Sequence, residues 1–221
     1  GILPQAMLNF LALLGWSPGG DVEVMTVQQM IDLFSVDGLS KKAAIFDPKK
    51  LEWMNGQHLS LMSSAELAPI VTQALVKAGL ATERELAERG GWYTTLLDLL
   101  KVRARTIDDI VRQATPYLRD EIDYDPEAVA KQWQDRPASA KLLAATREAL
   151  ETVGPWDAAP MEEALRGLAQ RMSLSPGKLF QPLRVALVGL TASPGIFDVL
   201  VLLGRERSLA RIDAAVSRLR A

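Results

Sequence analysis

The stretch Arg205-Glu206-Arg207-Ser208-Leu209-Ala210-Arg211-Ile212-Asp213-Ala214-Ala215-Val216-Ser217-Arg218-Leu219 decides the fold class. Leu209, Ile212, Val216 and Leu219 recur at helical spacing, forming one apolar stripe of a 3.6-residue period. Arg205, Arg207, Arg211 and Arg218, with Arg220 beyond, read as the solvated face of the same helix. Upstream, 140–150 and 161–172 carry similar amphipathic patterns. Asp125-Pro126, Ala159-Pro160, Ser175-Pro176 and Ser193-Pro194 each place proline just inside a helix start, where its missing N–H costs nothing.

The signals continue to the beginning of the chain. Thr26 with Gln29, Ser63 with Glu66 and Thr82 with Glu85 are capping boxes. Asp47-Pro48 opens a helix carrying Leu51 and Met54, with Gly56 as its expected stop. Pro4 opens another, carrying Met7, Leu8, Leu11 and Leu14 and ending at Gly15. Pro69 and Pro182 fall within apolar-periodic stretches and are expected to begin or kink helices. Strand signals hardly appear. The expectation is all-α, with roughly ten helices or more. Polar and proline-bearing seams at 60–64 and 135–139 divide it into a short leading segment, 1–62, and two consecutive helical bundles, 63–137 and 138–221.

Composition narrows the chemistry. The 221 residues are 48 % hydrophobic and 24 % charged, which excludes a disordered chain. No apolar run reaches the ~18 residues of a membrane span. Gly1-Ile2-Leu3-Pro4 lacks a signal peptide's basic start, and a beginning in mid-pattern suggests a processed or excised piece of a cytoplasmic protein. With no cysteine, disulfides, thiolate metal sites and cysteine nucleophiles are excluded, and one histidine, His58, cannot build a two-histidine metal site. Net charge is −2, but residues 173–221 hold seven Lys/Arg against three Asp/Glu, pointing weakly to an anionic partner at that end.

Few residues look chemical. Gly19-Gly20 and Gly90-Gly91 have no strand before them and read as turns rather than phosphate loops. Asp120, Glu121, Asp123, Asp125 and Glu127 lack the alternation of a calcium loop, so a solvated face with Asp125 as N-cap is the better reading. Arginines near apolar neighbours remain. Arg103 and Arg105 flank Ala104 before a helix opened by Thr106, and Arg184 sits among Leu183, Val185, Ala186, Leu187 and Val188. An arginine on so apolar a stretch must snorkel, pair or meet a ligand.

Three stretches resemble one family, the bacterial glutamyl-tRNA synthetases. Gly1-Ile2-Leu3-Pro4-Gln5-Ala6-Met7-Leu8-Asn9-Phe10-Leu11-Ala12-Leu13-Leu14-Gly15-Trp16 is similar to the segment after the catalytic lysine loop. Phe46-Asp47-Pro48-Lys49-Lys50-Leu51-Glu52-Trp53-Met54-Asn55-Gly56 resembles the stem-contacting region. Gln181-Pro182-Leu183-Arg184-Val185-Ala186-Leu187, Ser193-Pro194-Gly195 and Leu202-Leu203-Gly204-Arg205-Glu206-Arg207 are similar to the C-terminal signature.

The resemblance implies a ligase that activates glutamate with ATP and Mg and charges tRNA(Glu), with tRNA(Gln) as an alternative substrate, acting as a monomer. It places catalysis in a Rossmann-type domain whose histidine-rich ATP signature and lysine loop are not in this chain. These residues are then a stem-contact segment followed by two anticodon-binding domains, with no cofactor and no metal of their own. The resemblance assigns base reading to Arg184 and to Arg103, with Arg105 as rival for the second position. Phe180 and Gln181 would shape the pocket. Trp53, Asn55, Lys41, Lys42, Lys49 and Lys50 are candidate contacts to the tRNA stem or phosphates. The competing readings are a stand-alone helical RNA-binding module without ligase activity and a protein-interaction scaffold whose arginines are structural.

Overall fold

The computed structural model describes residues 1–40 and 44–221. The all-α expectation holds: the described residues contain thirteen α-helices, one 3-10 turn and no strand, with only a single isolated bridge between Trp16 and Leu39. Contacts divide the chain into two compact units, Gly1–Ala114 and Thr115–Ala221.

In the first unit, α1 (Pro4–Gly15) and α3 (Pro48–Leu61) bury Phe10, Leu51 and Met54 against each other, with Trp53 packed on that cluster. Each such side chain removed from water contributes roughly 1.5–3 kcal/mol. Asp47 caps α3 through Lys49 N, but the helix continues past Gly56 to Leu61. Gly56 is there for packing, not termination: a Cβ would stand 3.0 Å from the Ala104 carbonyl oxygen. Between them, α2 (Val27–Leu33) opens on the Thr26 capping box. The Ser63 and Thr82 boxes open α4 (Ser64–Lys77) and α5 (Glu83–Glu88). Gly90 and Gly91 are not a turn but the first residues of α6 (Gly90–Lys101), their carbonyls accepting from Thr94 and Thr95 hydroxyls.

Two buried amides hold this unit's framework. Asn9 Oδ1 accepts from Met25 N at 2.9 Å and from His58 Nε2 at 3.0 Å. Burial lowers the His58 pKa, and as a neutral ring it donates from Nε2. Asn55 is fully buried. Its Oδ1 accepts from Leu3 N, and its Nδ2 donates to the Gly1 and Arg105 carbonyls.

The apolar surface of this unit is uneven. Among the described residues, eleven of the sixteen exposed large hydrophobics lie between Leu8 and Phe46. Helix α1 carries no charged residue, and while Ala6 and Phe10 are buried, Leu8 and Leu11 are about half exposed.

Helix α7 (Ile107–Leu118) leads to the second unit, where α9 (Arg136–Glu151) and α13 (Arg205–Arg220) pack along their length. Asp135 N-caps α9, and Ser139 is buried within it. Helix α10 (Ala158–Arg171) follows, then α11 (Pro176–Val188), on which α8 (Pro126–Gln132) packs. Asp125 N-caps α8 through Glu127 N and Ala128 N. Pro69 and Pro182 do not begin helices; they lie inside α4 and α11. The Pro182 carbonyl accepts from Trp133 Nε1 at 3.3 Å, tying α8 to α11 at that turn. Ser193-Pro194 does not start α12 (Ile196–Leu203) either: Gly195 is its N-cap, and the serine is engaged elsewhere.

Candidate nucleic-acid interface

Helix α11 is pre-set by Pro176 in its first turn and ended by Gly189, whose φ of +73° closes a left-handed cap. That cap carries a second contact, since the Gly189 carbonyl accepts from Asp125 N at 2.9 Å. Leu179, Leu183, Val185, Ala186, Leu187 and Val188 are all buried, so almost the whole circumference of α11 is covered. Arg184 is half-buried in that wall. Its Nε donates to Ser193 Oγ at 2.7 Å, and that hydroxyl donates to the Pro194 carbonyl at 2.9 Å. The chain of two bonds fixes the guanidinium plane from the loop that precedes α12.

The neighbours on α11 are equally ordered. Phe180 is half-buried, edge-on to Phe197 of α12 with ring centroids 5.4 Å apart. Gln181 is half-buried with an Oε1 that is shielded from solvent and has no hydrogen-bond partner among the described residues. Tyr117, at the end of α7, is 1 % exposed, and its hydroxyl likewise lacks a partner among the described residues. Burial raises the Tyr117 pKa well above its ordinary value, with the Arg184 and Arg211 charges opposing that shift. Tyr117 is therefore a neutral phenol in the field of two guanidinium groups.

Three arginines of α13 correct the expectation of a solvated face, whereas Arg218 and Arg220 are exposed as expected. Arg205 donates to the carbonyls of Glu151, the last residue of α9, and of Val153 and Gly154 just after it, and lies over Trp156. Arg207 donates to the Tyr117 carbonyl and pairs with Asp120. Arg211 is only 4 % exposed and donates to three carbonyls, those of Leu187, Pro116 and Arg119. The last turns of a helix leave carbonyls unsatisfied and a partial negative charge behind them, so cations settle there. Burial depresses the Arg211 pKa to about 10, still far above neutrality. Ser193 and Arg211 were missed as functional candidates. Ser193 read as a helix cap. The faint sign at Arg211 is its place on a stripe with Ser208 and Ala215, both fully buried small residues that admit close approach.

The second candidate pair belongs to the other unit. Arg103 and Arg105 are exposed in the turn after α6. Arg105 N donates to Asp109 Oδ2 while its carbonyl accepts from Asn55, so the backbone of this turn is held from both sides. Thr106 caps α7 through Asp109 N, as its sequence implies. Trp53 is half-buried against the α1–α3 cluster. Asn55 has no surface to offer a stem; its amide is spent on three backbone groups. Lys49 is exposed, Lys50 pairs with Glu23, and Lys41 and Lys42 lie outside the described residues. No group of three or more His, Cys, Asp or Glu among the described residues is placed to hold a metal ion.

Comparison with known proteins bears on this geometry. Residues 66–216 match the profile of the anticodon binding domain, and residues 1–53 match that of the class I (E and Q) tRNA synthetase catalytic domain. The chain is 36 % identical over 220 residues to a glutamate–tRNA ligase of Moorella thermoacetica, covering 100 % of this chain and 45 % of that protein. It is 42 % identical over 214 residues to glutamate–tRNA ligase 1 of Erythrobacter litoralis, covering 97 % and 42 %. The crystal structure of a glutamate tRNA ligase from Elizabethkingia meningosepticum superposes with a TM-score of 0.81 at 29 % identity, over 99 % of this chain and 42 % of that one. The chain thus spans less than half the length of these relatives.

Proposed function

Because the chain belongs to the anticodon binding domain family, matched over 66–216, we propose that it reads the anticodon of tRNA(Glu) on behalf of a glutamate–tRNA ligase. That match carries the reading, and the fixed guanidinium of Arg184 supplies its chemistry. Sequence-specific recognition of single-stranded RNA uses unstacked bases, hydrogen-bonded at their edges and stacked on aromatic or guanidinium planes. A planar fork of donors held at a set angle by Ser193 suits a base edge better than a lysine point charge. Phe180, locked against Phe197, and Gln181 flank it on the same helix. Arg103 is the second reader, with Arg105 as rival. Lys49 and Lys50 meet phosphates, with Lys41 and Lys42 as further candidates, and such contacts position the RNA without reading it. Trp53 is the candidate stem contact, and Asn55 serves indirectly by holding the turn that bears Arg103 and Arg105.

In the whole protein, glutamate activation by ATP with Mg and transfer to the tRNA belong to a class I catalytic domain. The match of residues 1–53 to that domain and the exposed apolar side chains between Leu8 and Phe46 support a seat for it on α1 and α2. In functional terms the segments are 1–62 for the stem and 63–137 and 138–221 for the anticodon, and the protein works as a cytoplasmic monomer.

The test is binding of tRNA(Glu) transcripts with the native and with substituted anticodons, and of tRNA(Gln), to the parent protein and to Arg184→Ala. By analogy with bidentate base contacts elsewhere, the variant should lose roughly 1–3 kcal/mol of discrimination. Equal discrimination by parent and variant would remove Arg184 from the reading.

A further inference from the structure

Arg211 is an awkward residue to bury for stability alone. Removing a guanidinium from water is costly, and an apolar side chain of similar volume often serves a helical core as well or better. Among the described residues its nitrogens form no ion pair; Nη1 donates to Leu187 O, Nη2 to Pro116 O at 2.6 Å and to Arg119 O at 2.7 Å. Those carbonyls belong to two different helix ends. Leu187 is in the last turn of α11, one turn beyond Arg184, while Pro116 and Arg119 bracket the end of α7, beside Tyr117. One planar group therefore bridges the end of the helix bearing Arg184 to the end of the helix bearing Tyr117.

Building on the anticodon-reading role of Arg184, we propose that Arg211 is a positioning residue for that recognition: it sets the spacing between the ends of α7 and α11, and so the place where the Arg184 guanidinium meets a base. The fork geometry is what the task requires. A guanidinium reaches diverging acceptors from fixed directions, whereas an ammonium on a flexible stem serves one helix end or the other. Arg207 is the built-in comparison. It donates to the Tyr117 carbonyl and pairs with Asp120, touching the α7 end and the loop after it but not α11.

The experiment measures the ratio of affinities of the protein for tRNA(Glu) transcripts with native and substituted anticodons, alongside the melting temperature. Arg211→Lys should lower that ratio about threefold to tenfold while remaining folded, and Arg211→Met, which keeps bulk without any donor, should lower it at least as far. Arg207→Ala should leave it unchanged. A parental ratio in a folded Arg211→Lys or Arg211→Met overturns the proposal, as does an equal fall in Arg207→Ala. If neither Arg211 variant folds, the residue is structural only and the proposal also fails. Arg184→Ala keeps the two ideas apart. If it discriminates like the parent, the anticodon reading falls; if it loses discrimination while the Arg211 variants keep theirs, only the positioning role falls.

Discussion

Arg184 and Ser193, nine positions apart, are joined by a 2.7 Å hydrogen bond from the guanidinium Nε to the serine hydroxyl, and the hydroxyl is anchored in turn on the Pro194 carbonyl. The loop between α11 and α12 thus holds an arginine that the helix alone would leave to rotate. Ser193→Ala should release that hold without removing the charge. Overall tRNA affinity should stay within a few-fold of the parent, while discrimination between anticodons should fall by about 1 kcal/mol, the worth of one ordinary hydrogen bond. Parallel filter-binding titrations with native and substituted transcripts give both numbers.

Asn55 satisfies the Leu3 amide and the Gly1 and Arg105 carbonyls from a fully buried position. Asn55→Ala should destabilise the first unit by roughly 1–3 kcal/mol, because the buried Leu3 N–H is left without its acceptor, while the Gly1 carbonyl keeps its bond from Ile107 N. Urea unfolding followed by tryptophan fluorescence measures it. A loss below about 0.5 kcal/mol would mean that water replaces the amide.

His58 is buried beside Asn9, and its pKa is lowered by desolvation. The unfolded chain takes up a proton at the ordinary histidine pKa of about 6.5, and the folded chain does so only at lower pH. Stability is therefore complete above about pH 6.5 and declines as the pH falls toward the folded-state value. His58→Gln, which keeps a donor but cannot titrate, should flatten that decline. Denaturant midpoints compared between pH 7.5 and 5.5 check the sign, and an unchanged slope in the variant would assign the decline to other groups.

Gly189 combines a φ of +73° with a contact no side chain permits, since a Cβ would lie 2.0 Å from the Asp123 carbonyl oxygen. Gly189→Ala should cost at least about 2 kcal/mol, more than the ~1 kcal/mol of left-handed strain alone, because the backbone of 123–125 must move. The α8–α11 contact should loosen with it, and hydrogen exchange at Asp125 N, bonded to the Gly189 carbonyl, should accelerate.

Helix starts were legible in this chain because they depend on residues a few positions apart. Thr26, Ser63, Thr82 and Asp125 each cap the helix their local context promises. Where a residue answers to a distant partner, local reading erred. Gly56 looks like a stop but makes room for the Ala104 carbonyl, and Ser193 looks like a cap but serves Arg184. Asn55 sits in a motif that resembles a stem contact, yet its amide is turned wholly inward.

What the sequence determined by itself is the all-helical class, most helix starts and the oddity of an arginine at 184 in an apolar run. Those follow from periodicity and capping, forces that act within one or two helical turns. Only the tertiary structure decided what the arginines do. Arg205, Arg207 and Arg211 share one helix and one residue type, yet Arg211 is buried on two helix ends while Arg207 is half-exposed with an aspartate. The difference arises because one guanidinium can share the carbonyls of two helices only where those helices end near each other, and no spacing along a single helix records where that is.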